Sequence, residues 1–138
     1  MLSIVKTNLK KNRLVRTFYR KIARIDKKLI EHYLGQQKTR KLHLGCGGNI
    51  IDGWLNSDLF PLSNDVVHID VTKTYPFDDE TFDYVFSEHM IEHISHAQGQ
   101  HMLKQCFRVL KHGGKIRIST PDLSFLILLY QSDKSELQ

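Results

Sequence analysis

At 138 residues, with 41% hydrophobic and 25% charged content, the chain has the composition of one ordinary globular domain, long enough for its own core. Two cysteines, Cys46 and Cys106, offer neither a disulfide framework nor paired metal ligands, so a reducing, cytoplasmic setting is expected. The N-terminus has no apolar signal core, and the longest apolar run, Phe125 to Tyr130, falls far short of the ~20 residues of a membrane span.

Charge divides the chain in two. Thirteen of the 20 Lys and Arg lie in residues 1–41 against only Asp26 and Glu31, a surplus of eleven, whereas residues 42–138 are acidic by six. The first 34 residues read as one or two helices, because Val5, Leu9, Leu14, Phe18, Ile22, Ile25, Leu29 and Tyr33 recur near helical spacing among the basic residues. Gly35 marks their end, so residues 1–40 form a basic helical extension. Strands are expected at 41–45, 54–59, 66–70, 82–87 and 114–120. A helix is expected at 99–112, with Met102, Leu103, Cys106, Phe107 and Leu110 as its apolar stripe and the glycines at 113 and 114 as its stop. A final helix begins after Pro121-Asp122. Strands interleaved with helical segments predict an α/β domain with a parallel sheet.

The first strand runs into LGCGGN, residues 44–49. Glycines there allow a tight turn and a close approach of backbone to ligand. The dinucleotide pattern G-x-G-x-x-G is not met, since from Gly45 and Gly47 the third position falls on Ile50. Only Asn49 to Trp54 separate the loop from the next strand, too few residues for a crossover helix. A pyrophosphate wants a helix N-terminus at this place, which disfavours NAD and ATP. The second strand ends in Asp58, a carboxylate placed to accept hydrogen bonds from ribose hydroxyls, and the third ends in Asp70.

Three stretches, KLHLGCGGNIIDGWLNSDL, HIDVTKTYPFDDETFDYVFSEHMIEHI and MLKQCFRVLKHGGKIRISTPDL, follow in order from residue 41 to about 123. Together they resemble the class I S-adenosylmethionine-dependent methyltransferases, most of all the subgroup called methyltransferase type 11. The resemblance implies a Rossmann-like sheet of order 3-2-1-4-5, S-adenosylmethionine as cofactor, and methyl transfer to a small-molecule or saccharide-related acceptor. By position it places Gly45 and Gly47 at the methionine part, Asp58 at the ribose, Asp70 and Val71 at the adenine, and Ser87 near the reactive methyl. The chemistry agrees, because this cofactor has a nucleoside and an amino acid but no phosphate. Asn49 stands where many relatives have another glycine. The family continues into two further strands beyond the position of Gln138, so residues 41–138 are expected to be a C-terminally incomplete methyltransferase domain. An apolar last helix and an open sheet edge then imply a fragment of a longer protein or a subunit that self-associates through that edge.

One motif pulls elsewhere. His89, Glu92 and His93 spell His-x-x-Glu-His, the order of an inverted zinc-peptidase signature. Against zinc, the motif follows a strand directly, and the only downstream glutamate is Glu136. As a methyltransferase residue, His89 serves either as a base for an acceptor that must lose a proton or as a polar lining of the pocket. His93 is expected to be packed or hydrogen-bonded, and His96 and His101 solvated. A cofactor-binding module without turnover is the competing class. The basic extension is expected to dock its apolar side on the domain, with contact to an anionic membrane surface or nucleic acid as the other readings.

Overall fold

The computed structural model describes residues 13–132, with side chains from residue 25 onward; Val5 and Leu9 of the apolar stripe and Glu136 lie outside the described residues. Helix α1 spans Arg13–Gln36. It is followed by β1 (Lys41–Leu44), β2 (Leu55–Asp58), β3 (Val67–His68) and β4 (Phe82–Glu88). A single 3-10 turn (Ile91–His93), α2 (His96–Val109), β5 (Leu110–Ser119) and α3 (Leu123–Gln131) complete the order. All strand pairs are parallel and the sheet order is β3-β2-β1-β4-β5, as the sequence predicts.

Register sorts the side chains. Leu42 pairs with Leu55 and Val85, and Leu44 with Ser57 and Ser87. These positions share one face, where Leu42, Leu44, Leu55 and Val85 join Phe82, Met102, Cys106 and Val109 in the buried core. Leu29, Ile30, Tyr33 and Leu34 of α1 pack against the same cluster, so the C-terminal half of the basic helix docks its apolar side on the domain. Asp26 fixes that helix to the sheet by accepting the His68 backbone N–H at 3.1 Å.

Three elements differ from the sequence expectation. Strand β3 is only Val67–His68, so Asp70 lies beyond its end rather than at it. Helix α2 starts three residues earlier than residue 99, because Ser95 and Gln98 form a reciprocal capping box at its N-terminus. It ends at Val109, and its buried line is Gly99, Met102, Cys106 and Val109, while Leu103 and Phe107 are exposed at 44% and 84%. Gly113 and Gly114 therefore do not stop a helix. They lie inside β5, where Gly113 has a φ of +79° and a Cβ on Gly114 would stand 2.9 Å from the Lys111 carbonyl.

Arg108 pins the β3–β4 connection to α2. Its guanidinium donates to the Phe77 and Tyr75 carbonyls at 2.7 and 3.1 Å and to Asp79 at 2.7 Å. At the amino ends of the strands, Asp83 accepts from the Arg40 N–H and from Lys111 Nζ at 2.8 Å each, and the Lys111 bond holds its carboxyl below the usual range. Strand β5 pairs only with β4 among the described residues. Helix α3, capped by Asp122, has no buried residue. No described helix is long and apolar enough to cross a membrane.

The opposite face of β1 carries a buried histidine. His43 Nδ1 lies 3.1 Å from Asn56 Oδ1. The Asn56 amide nitrogen donates to the Ile51 and Trp54 carbonyls, which fixes its oxygen toward His43 as an acceptor. The proton of neutral His43 is thus on Nδ1, and burial pushes its pKa below the ordinary 6.5. The unfolded chain takes up this proton first, so the stability contribution is full above the ordinary value and declines as pH falls through it. Urea denaturation stepped from about pH 8 to pH 5 is expected to show this acid loss, and His43→Gln to flatten the slope.

Candidate functional site

In a parallel sheet of this order the strand order reverses between β1 and β4, and ligands bind outside the carboxyl ends at that point. Gly45 follows β1 there, and Ser87 and His89 flank the end of β4. The loop 45–54 returns to β2 without a helix, and two side chains hold it. Asn56 accepts the Ile51 N–H at 3.1 Å, and Asp58 Oδ2 accepts the Gly47 N–H at 2.9 Å.

Asp58 is therefore part of the glycine turn as well as the end of β2. Its other oxygen accepts the Phe60 N–H at 2.8 Å. Each carboxylate oxygen accepts two hydrogen bonds, so the group retains capacity toward a diol. Gly47 needs its φ of +51°, which points its N–H at the acid. Gly45, at φ +69°, is required twice over: an added Cβ would lie 2.5 Å from Cγ of Met90, whose side chain lies across the loop. The β1 and β4 loops are thus packed on one another.

Asp70 lies beyond β3, where Oδ1 accepts from the Thr72 N–H at 3.0 Å and the Thr72 hydroxyl at 2.6 Å. It builds a turn that presents Val71, which is half-buried against the core. Ser87 is buried, and its hydroxyl has no hydrogen-bond partner among the described residues. An unpartnered buried hydroxyl carries a desolvation cost that a ligand can relieve.

The histidines separate. His89 has a φ of +48°, in the left-handed region, immediately after β4. His93 closes the 3-10 turn and is exposed rather than packed. The two do not share a face of an α-helix, as zinc-peptidase histidines must. No group of three or more His, Cys, Asp or Glu among the described residues is placed to hold a metal. His96 is exposed at the start of α2, but His101 is half-buried with Nε2 sequestered and unpartnered, against the expectation of a solvated ring.

Sequence reasoning missed Met90 over Gly45, the Asp58–Gly47 bond, and Glu92, whose carboxylate stands 3.4 Å from His89 Nδ1. The first two have no spacing rule that reveals them, whereas His89 and Glu92 are an i, i+3 pair within the His-x-x-Glu-His motif. A groove of about 450 Å³, lined by Trp54, Phe86 and Arg117 among others, lies on the sheet face away from these strand ends.

Residues 55–118 match the family model described as a methyltransferase domain. A protein of Pyrococcus horikoshii OT3 is similar at 22% identity with a TM-score of 0.53, over 88% of this chain and 61% of that one. A putative S-adenosyl-L-methionine-dependent methyltransferase of Methanococcus maripaludis matches at 16% identity and TM-score 0.49, over 88% and 69%. The putative methyltransferase solved with the Haloferax volcanii activator Trm112 matches at 21% and 0.45, over 65% and 50%. The chain thus spans half of the Haloferax structure's length and about three-fifths of the Pyrococcus one. No curated protein matches the sequence.

Gly45→Ala is expected to cost about 1–2 kcal/mol for its left-handed backbone, and more for displacing Met90. Chemical denaturation of Gly45→Ala, Met90→Ala and the double variant checks the contact. The double variant should be less destabilised than the sum of the singles, and strict additivity would contradict it.

Proposed function

We propose, from the premise that this chain carries a class I, S-adenosylmethionine-dependent methyltransferase domain, that it binds that cofactor at the carboxyl ends of β1, β2 and β4 and transfers its methyl group to a small-molecule or saccharide-related acceptor. The observation that carries the reading is the helix-free glycine turn bonded to Asp58. Such a turn suits a nucleoside attached to an amino acid and lacks the helix N-terminus that a pyrophosphate requires.

The residues fit in order. Gly47 leaves room for the methionine part, with Gly45 turning the backbone beneath Met90, Asp58 accepts from the ribose hydroxyls, and the Asp70–Val71 turn borders the adenine. Ser87 contributes its unpartnered hydroxyl close to the sulfonium end. When bound, the cofactor supplies an electrophilic methyl group. The protein's task is then to align the acceptor and exclude water, with His89 beside the path as the polar group able to take a proton. The outer edge of β5 is open among the described residues, and either further strands of a longer chain or self-association through that edge would cover it. Sedimentation of the 138-residue chain is expected to show self-association through this exposed edge, and a monomer at every concentration would remove that element.

Isothermal calorimetry with S-adenosylmethionine and its demethylated product tests the main reading. Wild type should bind both. Asp58→Ala, which removes the diol acceptor and releases Gly47, should weaken binding by about tenfold or more, at least ~1.4 kcal/mol. Absence of binding to either compound by the wild type would overturn the proposal.

A further inference from the structure

Resting on the methyl-transfer reading, we propose that Glu92 is a positioning residue for His89, and that the pair adapts the site to acceptors that must surrender a proton, hydroxyl groups above all. The inference starts from backbone strain. His89 holds a φ of +48°, which a residue with a Cβ adopts at a cost, and such positions persist only where the surroundings enforce them.

Here three contacts enforce it. The His89 N–H donates to the Ser119 carbonyl at 3.0 Å, which ties the residue to the end of β5. The next residue, Met90, has its side chain over Gly45, where no Cβ intervenes. The His93 N–H then donates to the Met90 carbonyl at 3.0 Å and closes the 3-10 turn. The turn brings Glu92 Oε1 to 3.4 Å from His89 Nδ1, with the glutamate side chain 26% exposed and the imidazole 61% exposed.

A carboxylate can only accept. Facing Nδ1, it favours the neutral tautomer protonated there and leaves the Nε2 lone pair free. It also holds the ring in one orientation, as an acid behind a catalytic histidine does. The separation is loose for a hydrogen bond, as such pairs often are before a ligand closes the site.

The step balances without a further reactant. The acceptor's hydroxyl proton passes to Nε2, and its oxygen lone pair forms the bond to the methyl carbon. The carbon–sulfur bond breaks with its electron pair left on sulfur. A methyl ether, a neutral thioether and an imidazolium facing Glu92 result.

The test reads the tautomer, not turnover. In the ¹⁵N-labelled 138-residue chain, two-bond proton–nitrogen correlations at alkaline pH distinguish Nδ1–H from Nε2–H imidazoles, with His89→Gln assigning the resonance. Wild-type His89 is expected to be mainly Nδ1–H. Glu92→Ala should invert this to Nε2–H, the form an unpartnered neutral histidine prefers. Because that variant can loosen the turn, Glu92→Gln is measured beside it and should also lower the Nδ1–H fraction. A wild-type ring already in the Nε2–H form, or a fraction unchanged in both variants, overturns the proposal. Titration of the wild type with S-adenosylhomocysteine keeps the two ideas apart, since failure to bind counts against methyl transfer and leaves the tautomer result standing.

Discussion

The short return from β1 to β2 is the constraint on which the rest of this molecule depends. Parallel neighbours ordinarily need a dozen or more residues and a helix to reconnect. Here residues 45–54 suffice, because side chains replace the missing helix. Asn56 holds the Ile51 N–H and the Ile51 and Trp54 carbonyls, and Asp58 holds Gly47. Tyr33 closes the outer side, accepting the Lys41 N–H at 2.8 Å with the Gly53 carbonyl 3.1 Å from its hydroxyl. Two consequences follow from one economy of chain. The glycine turn is set by the strand it leads to, and the sheet face bearing His43, Phe86 and Trp54 has no crossover helix over it from this connection.

The fold was legible wherever alternation of strand and helix was strong. Five strands and their parallel pairing follow from apolar runs separated by loops and helices, the order 3-2-1-4-5 comes from the family resemblance, and Gly45, Asp58 and Ser87 stand out because each ends or follows a strand. Helix α2 was harder. Its apolar content suggested a stripe through Leu103 and Phe107, yet burial follows Gly99, Met102, Cys106 and Val109. The missed signal was Ser95-x-x-Gln98, a capping box that sets the start of the helix. Gly113 and Gly114 misled in the same way, since a glycine pair inside a strand resembles a helix stop until its partner strand is known. The His-x-x-Glu-His match was the opposite kind of case. Its spacing suits an α-helix, but the segment turns through a left-handed residue and one 3-10 turn, so the periodicity has no helix to act on.

Stabilising polar contacts and the candidate site occupy opposite ends of the sheet. At the amino ends, Asp83 gathers Arg40 and Lys111, while the carboxyl ends retain a buried unpartnered hydroxyl and a strained histidine. The division is physically sensible. One ion pair and a backbone hydrogen bond on Asp83 tie the strands where nothing must enter, and incompletely satisfied groups collect where a ligand can complete them.

Arg108 has a consequence for cooperativity. One guanidinium is bonded to residues 75, 77 and 79 of the β3–β4 connection and to Gln105 of its own helix. Gln105 in turn accepts the Tyr75 N–H. A segment held in this way cannot open without disturbing α2, so it belongs to the same foldon as the core. The loop after β4 is held differently, by Met90 over Gly45 and by the His89 N–H on the Ser119 carbonyl. The rim formed by residues 75–79 therefore moves with the core and α2 as one unit.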